Sequence, residues 1–138
     1  MSGTPAWGAR ALLLLAVLTV VFATKRESAI AAGEHQPASL RACRVCHDLS
    51  SEKKSQGFIG PPLWGVANRS IGSENSFAGY SETLVSMGAH GKIWDRRTLE
   101  RYLADPRMFA PGCRMAFTGI ADEKSRMQAV DYLFSMQD

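Results

Sequence analysis

The sequence predicts an all-α domain in which a few helices and long loops wind around something other than their own side chains. Three observations carry this. Two segments near the C-terminus repeat apolar residues at helical spacing between recognisable start and stop signals. No stretch reads as strand-rich. The connection from 48 to 92, punctuated by glycines and by Pro61 and Pro62, is longer than a compact domain tolerates unless it wraps something.

The elements follow in chain order. The chain has 138 residues, 46% of them hydrophobic and 21% charged, an ordinary globular balance that allows one domain. Residues 1–31 stand apart: Arg10 precedes the apolar run ALLLLAVLTVVFA (11–23), and the small-residue AIA (29–31) follows. That pattern reads as a secretory signal. The run is shorter than the roughly 20 apolar residues a helix needs to cross a bilayer, although Lys25 and Arg26 behind it keep a short membrane anchor open as the alternative. The expected division is 1–31 as signal or anchor and 32–138 as the functional domain. Without Arg10, Lys25, Arg26 and Glu27 the remainder has 13 Lys and Arg against 12 Asp and Glu, a net charge of +1. Such a balance gives no support to nucleic-acid binding through a basic field.

Within that domain PASLRACRVCH (37–47) predicts a helix beginning at Pro37, a position where proline's missing N–H costs nothing. DRRTLERYLADP (95–106) places Leu99, Tyr102 and Leu103 on one face, with Asp95 at its N-terminal end and Pro106 stopping it. DEKSRMQAVDYLFSMQ (122–137) presents Met127, Val130, Leu133 and Phe134, with Asp122 as N-cap.

The chemistry concentrates in CRVCH, where Cys43 and Cys46 are three apart and His47 follows directly. Two such cysteines can form a redox disulfide, half a zinc site, or thioethers to the vinyl groups of a haem. A zinc site needs two more ligands, and Cys113, His35 and His90 show no zinc-type spacing. A thioredoxin-like pair needs βαβ patterning, which is missing. Thioether attachment is favoured because the residue after the second cysteine can then offer an imidazole nitrogen to the iron. A six-coordinate iron needs a second ligand far along the chain, and methionine suits a high potential. Among six methionines, Met115 stands out in PGCRMAFTG (111–119), where Pro and Gly free a loop to fold over a flat ligand. Met108 is expected in a loop after Pro106.

The motifs together resemble the class I c-type cytochromes, in the branch of mitochondrial cytochrome c and bacterial cytochrome c2, over residues 33–136. The resemblance rests on CRVCH, GPPLWGVANR (60–69), FAGYS (77–81), IWDRRTLERYLADPRMFAPGCRMAFTGI (93–120) and AVDYL (129–133) in that order. It implies one covalent haem c per chain, with thioethers from Cys43 and Cys46 and axial ligation by His47 and Met115. It further implies that the Pro61 carbonyl orients the His47 ring, and that Arg69, Tyr80 and Trp94 surround a haem propionate. Tyr102 would hydrogen-bond the methionine sulfur, and Phe117 would be the aromatic at the exposed haem edge.

Three positions depart from the family pattern. Ser39 stands where the first helix normally presents an aromatic, so Leu40 is expected to substitute through a shift of register. FAGYS has one extra residue between its aromatics. Cys113 replaces a hydroxyl residue near a propionate and reads as a small packed thiol.

The function implied is that of a monomeric, non-enzymatic single-electron carrier. Its expected partners are redox proteins: a cytochrome bc1-type donor, an oxidase, a reaction centre or a dehydrogenase. Arg41, Arg44, Arg107 and Arg114 offer a basic docking face. Periplasm is the expected location, with the mitochondrial intermembrane space second. One rival keeps residues 11–23 in the membrane, leaving a 13-residue tether from 24 to 36 with a reach of roughly 20 Å and a fixed electron-transfer subunit of one complex. The other is a haem enzyme or gas sensor in which Met115 dissociates.

Overall fold

The computed structural model describes residues 36–52 and 58–137. The segment 1–31, expected to be a signal or anchor, lies outside them. Among the described residues the only extended pairing is an isolated antiparallel bridge between Ser70 and Ile93, so the all-α expectation holds.

Between Pro37 and His47 the chain makes two short 3₁₀ segments, Ala38–Arg41 and Cys43–Val45, where one continuous helix was expected. The Pro37 carbonyl accepts from Leu40 N (3.0 Å), and the Cys43 carbonyl accepts from both Cys46 N (3.0 Å) and His47 N (2.8 Å). A piece this short closes i→i+3 bonds without reaching the length at which an α-helix propagates. Leu40 is fully buried, and Ser39 Oγ donates to the Ser125 carbonyl at 3.2 Å. The apolar contact has therefore moved one residue along, to Leu40.

Helix α1, Glu82–Ala89, begins where the Ser81 hydroxyl accepts from Leu84 N. It falls inside the 48–92 connection, where the sequence predicts no element, and it carries Met87. Its Leu84 is buried beside Ile71 in the core. The loop holding it closes through Asn68 N to Trp94 O (3.0 Å), Trp94 N to Arg69 O (2.9 Å) and Ile71 N to Lys92 O (3.0 Å).

Helix α2, Arg96–Ala104, starts at Asp95, whose carboxylate accepts from Thr98 N at 2.6 Å. It buries Leu99, Tyr102 and Leu103, the face expected from the spacing. It stops because Asp105, preceding a proline, is held extended. Pro106 then opens a single turn, α3, Pro106–Phe109. Met108, expected in a loop, is on this turn and 79% exposed.

Helix α4, Glu123–Ser135, is capped by Asp122 accepting from Ser125 N at 2.8 Å. It packs on α2 and on Ala38–Arg41 through Ala129, Val130 and Leu133. Met127, expected on that face, is 51% exposed. At 100° per residue it lies about 120° around the helix from Leu133, and Arg126 takes the inward place. Each fully buried Leu or Val here contributes about 1.5–3 kcal/mol. This helix pair and Leu40 pack into one core cluster, against which the loops are hung.

Candidate functional site

The cysteine motif is shaped by backbone bonds before any side chain acts. With Cys43 O accepting from Cys46 N and His47 N, the turn brings the two cysteines together. Burial pushes the Cys43 thiol above its ordinary pKa, and the nearby Cys46 adds to the effect. No disulfide joins Cys43, Cys46 or Cys113. Asp48 closes the motif: its Oδ1 accepts from Ser50 N and its Oδ2 from Ser50 Oγ, both at 2.9 Å.

His47 is held from two directions. Its Nδ1 lies 2.7 Å from the Pro61 carbonyl. A carbonyl only accepts, so Nδ1 carries the hydrogen and Nε2 keeps its lone pair. Gly60 lies flat against the ring: a Cβ there would come within 2.6 Å of Nδ1 and 2.9 Å of Nε2. Gly60 N donates to the Cys46 carbonyl at 2.8 Å, and Leu63 N to the Asp48 carbonyl at 2.8 Å, tying the 60–63 segment to the motif. Burial lowers the His47 pKa, opposed in part by the Pro61 carbonyl. The ring is therefore a neutral imidazole at pH 7, the form that binds metals.

The second half of the site hangs on α2. Tyr102, 8% exposed, places its hydroxyl 3.1 Å from Cys113 Sγ and 3.8 Å from Met115 Sδ. Burial, and then the Cys113 contact, push the phenol far above its usual pKa, so it stays protonated. The 111–120 loop bearing both sulfurs is fastened at each end. Thr83 Oγ1 of α1 donates to the Pro111 carbonyl at 2.6 Å. Ile120 N donates to the Leu103 carbonyl at 2.7 Å, and Arg126 Nη1 reaches the carbonyls of Ile120 (2.8 Å) and Ala121 (3.2 Å). Gly119, at φ +100°, lies directly on the Ala104 carbonyl, an approach that a side chain would block in a conformation that favours glycine.

Comparison with known proteins gives the family. The chain is 32% identical over 101 residues to cytochrome c2 iso-2 of Magnetospirillum molischianum, covering 73% of this chain and 97% of that one. It is 38% identical over 88 residues to cytochrome c2 of Rhodoplanes tepidamans, covering 64% and 77% respectively. Its fold matches the solved structure of cytochrome cH from Methylobacterium extorquens with a TM-score of 0.61 at 34% identity, over 76% of this chain and 96% of that one. The chain belongs to the class I c-type cytochromes. No family model matches it.

As a member of that family the cytochrome carries a covalently bound haem c with its iron, and its role is electron transfer rather than enzymatic catalysis. The residues fit such a group. Two cysteines three apart, followed by a neutral imidazole whose Nε2 keeps its lone pair, are the groups that attach a covalent haem and offer its iron a ligand. Among the described residues, no group of three or more His, Cys, Asp and Glu side chains could hold a bare metal ion.

The remaining residues expected at the site are arranged less uniformly. Arg69 is half-buried with Nη1 on Glu74 Oε2 at 2.8 Å and Nη2 donating to the Pro62 carbonyl at 3.0 Å. Tyr80 packs edge-on against Phe77, centroids 5.0 Å apart. Burial raises its pKa while the Arg69 charge opposes that. Trp94 is buried against Tyr102 at 4.9 Å and Phe109 at 6.2 Å. Arg69 adjoins both Tyr80, through its charge, and Trp94, whose N donates to the Arg69 carbonyl, while the Trp94 ring packs on Tyr102. Phe117 is half-buried on the methionine loop.

Three participants escaped sequence reasoning: Glu74 as partner of Arg69, Thr83 as a strap on the loop, and Phe109 in the aromatic cluster. Arg69 and Glu74 lie outside any helix, so their spacing carries no phase. Phe109 had a signal in its position as the last residue of the turn that Pro106 opens. Arg41, Arg44, Arg107 and Arg114 are all exposed. Among the described residues no helix is long and apolar enough to cross a membrane.

Proposed function

We propose that this cytochrome is a periplasmic single-electron carrier with His47 and Met115 as axial ligands and thioethers at Cys43 and Cys46. The observation that carries the reading is the fixing of His47: Pro61 takes Nδ1–H, Gly60 lies against the ring, and Nε2 is left as the only basic nitrogen. The haem iron, when bound, supplies a one-electron ferrous/ferric couple. Pro61 orients the imidazole and raises its basicity. Tyr102 donates toward the Met115 sulfur from a buried position. Arg69 retains N–H groups beyond those given to Glu74 and Pro62, which can meet a propionate.

With His47 and Met115 both holding the iron, no position would be left for substrate, and the group would supply electron transfer alone, with Phe117 beside its accessible edge. Arg41, Arg44, Arg107 and Arg114 steer acidic redox partners toward that edge. Association rates should fall as salt is added; rates indifferent to ionic strength would remove the docking role.

The deciding experiment is a redox titration of the purified holoprotein followed by its visible spectrum, repeated for Met115→Ala. A single one-electron transition at positive potential, falling sharply in the variant as the spectrum becomes high-spin, supports the reading. A wild-type protein that is already high-spin, or whose potential ignores Met115, overturns it. Detection of residues 1–31 in the mature protein would replace the diffusing carrier with an anchored subunit.

A further inference from the structure

The Tyr102 hydroxyl has one hydrogen and two sulfur neighbours. Cys113 Sγ is 3.1 Å away and Met115 Sδ 3.8 Å. A thioether sulfur can only accept, whereas a thiol can donate or accept. Two arrangements exist. If the phenol donates to Cys113, one hydrogen bond forms and Met115 receives none. If the thiol S–H donates to the phenol oxygen, the phenol O–H is free for Met115 and two bonds form in series, each polarising the next.

We propose that Cys113 is a positioning residue for electron transfer: its thiol donates to Tyr102 and thereby turns the Tyr102 hydrogen onto the Met115 sulfur. The series forms two hydrogen bonds where the alternative forms one, around a phenol that is itself buried, which makes it the better of the two. Cys113 is itself fixed for the task, because its backbone N donates to the Ala110 carbonyl at 2.9 Å and its side chain packs on the core. Tyr102 cannot swing away either, being wedged between Trp94 at 4.9 Å and Phe109 at 5.5 Å. A hydrogen bond withdraws electron density from the methionine sulfur, which favours ferrous over ferric iron and raises the potential. The thiol would thus set the potential through Tyr102. The departure of residue 113 from the hydroxyl pattern of its family becomes an adjustment of donor strength.

The inference rests on Met115 as ligand, and the test separates the two. Potentials would be measured for the wild type, Cys113→Ala, Cys113→Ser, Tyr102→Phe and Cys113→Ala with Tyr102→Phe, each holoprotein first checked for the ferric methionine-to-iron charge-transfer band. Absence of that band in the wild type would defeat the ligand assignment and the inference with it. With the band present, Cys113→Ala should lower the potential and shift the band, while Cys113→Ser, which keeps a donor, should hold or raise the potential. Tyr102→Phe should lower it less in the Cys113→Ala background than in the wild type. A potential that rises in Cys113→Ala would show the thiol to be a competing acceptor and overturn the assignment. Strictly additive shifts in the double variant would reduce Cys113 to packing, and would equally overturn it.

Discussion

Gly60→Ala isolates the support of the His47 ring in one atom. Gly60 is not among the residues with left-handed backbone, so alanine meets no conformational penalty there. Its Cβ would nevertheless sit 2.6 Å from Nδ1 and 2.9 Å from Nε2 of His47, inside any real contact distance. The ring cannot yield without leaving the Pro61 carbonyl at 2.7 Å. Overpacking costs about 1–3 kcal/mol, and the lost hydrogen bond about 1 kcal/mol more, for a sum of about 2–4 kcal/mol. For a domain of this size, that lowers Tm on the order of 10–30 °C. Gly91→Ala is the control with the opposite cause: nothing lies within 4 Å of its Cβ, but φ is +75°, so only the left-handed cost of about 1–2 kcal/mol applies. Thermal melts and visible spectra of both holoproteins would be compared. Gly60→Ala should perturb the haem spectrum as well as stability, and Gly91→Ala should leave the spectrum alone. A Gly60→Ala protein with wild-type Tm and spectrum would refute the close packing of glycine on imidazole.

Other expectations follow from single contacts. Arg69→Met or Glu74→Gln should each lose about 1–3 kcal/mol by stranding a half-buried charge, and the double replacement should recover most of it; urea midpoints would reveal equal, additive losses if the pair does not interact. Leu40→Ala should cost about 2–5 kcal/mol with an unchanged haem spectrum, whereas Ser39→Ala should cost no more than the single bond to Ser125, about 1 kcal/mol; a reversed order would mean that the register shift is misread. The Asp122 carboxyl is held below its ordinary 3.8 by the side-chain and backbone bonds of Ser125. Its contribution is therefore present above pH 3.8 and lost as pH falls through the lower folded value. Asp122→Asn should flatten the stability profile in that acid window and nowhere else, as followed by the far-UV signal of acid-titrated protein.

The sequence was most readable where chemistry and geometry coincide locally. Asp95 and Asp122 announce helices whose caps both formed, because an N-cap needs only a side chain and the next few N–H groups. Leu99, Tyr102 and Leu103 were readable because α2 has a single buried stripe. Met127 misled because an apolar residue on a helix carries no label for which face the partner covers, and Arg126, with carbonyls to bind, took the inward place. Helix α1 was hidden by its composition: its only buried residue is Leu84, and Gly88, required where the helix crosses the Ile71 carbonyl, reads as a breaker. The CRVCH motif announced the cofactor outright, since few uses exist for that spacing. Glu74 and Thr83 could not be found: Glu74 is five residues from Arg69 but in a segment with no helical phase, and Thr83 acts on Pro111, 28 residues away.

The fastening of the 111–120 loop bears on how a foreign molecule would fare near Met115. With Pro111 tied to Thr83 and Ile120 tied to Leu103 and Arg126, the sulfur sits midway along a short chain pinned at both ends. If Met115 is the ligand proposed above, its departure from the iron is not departure from the neighbourhood. A group on so short a tether re-engages as though dissolved at on the order of millimolar or more. Carbon monoxide, peroxide or a stray imidazole would have to outcompete that local supply at every encounter. With that ligand in place, the tethers at Thr83 and Arg126 would be what holds the centre closed to small competitors.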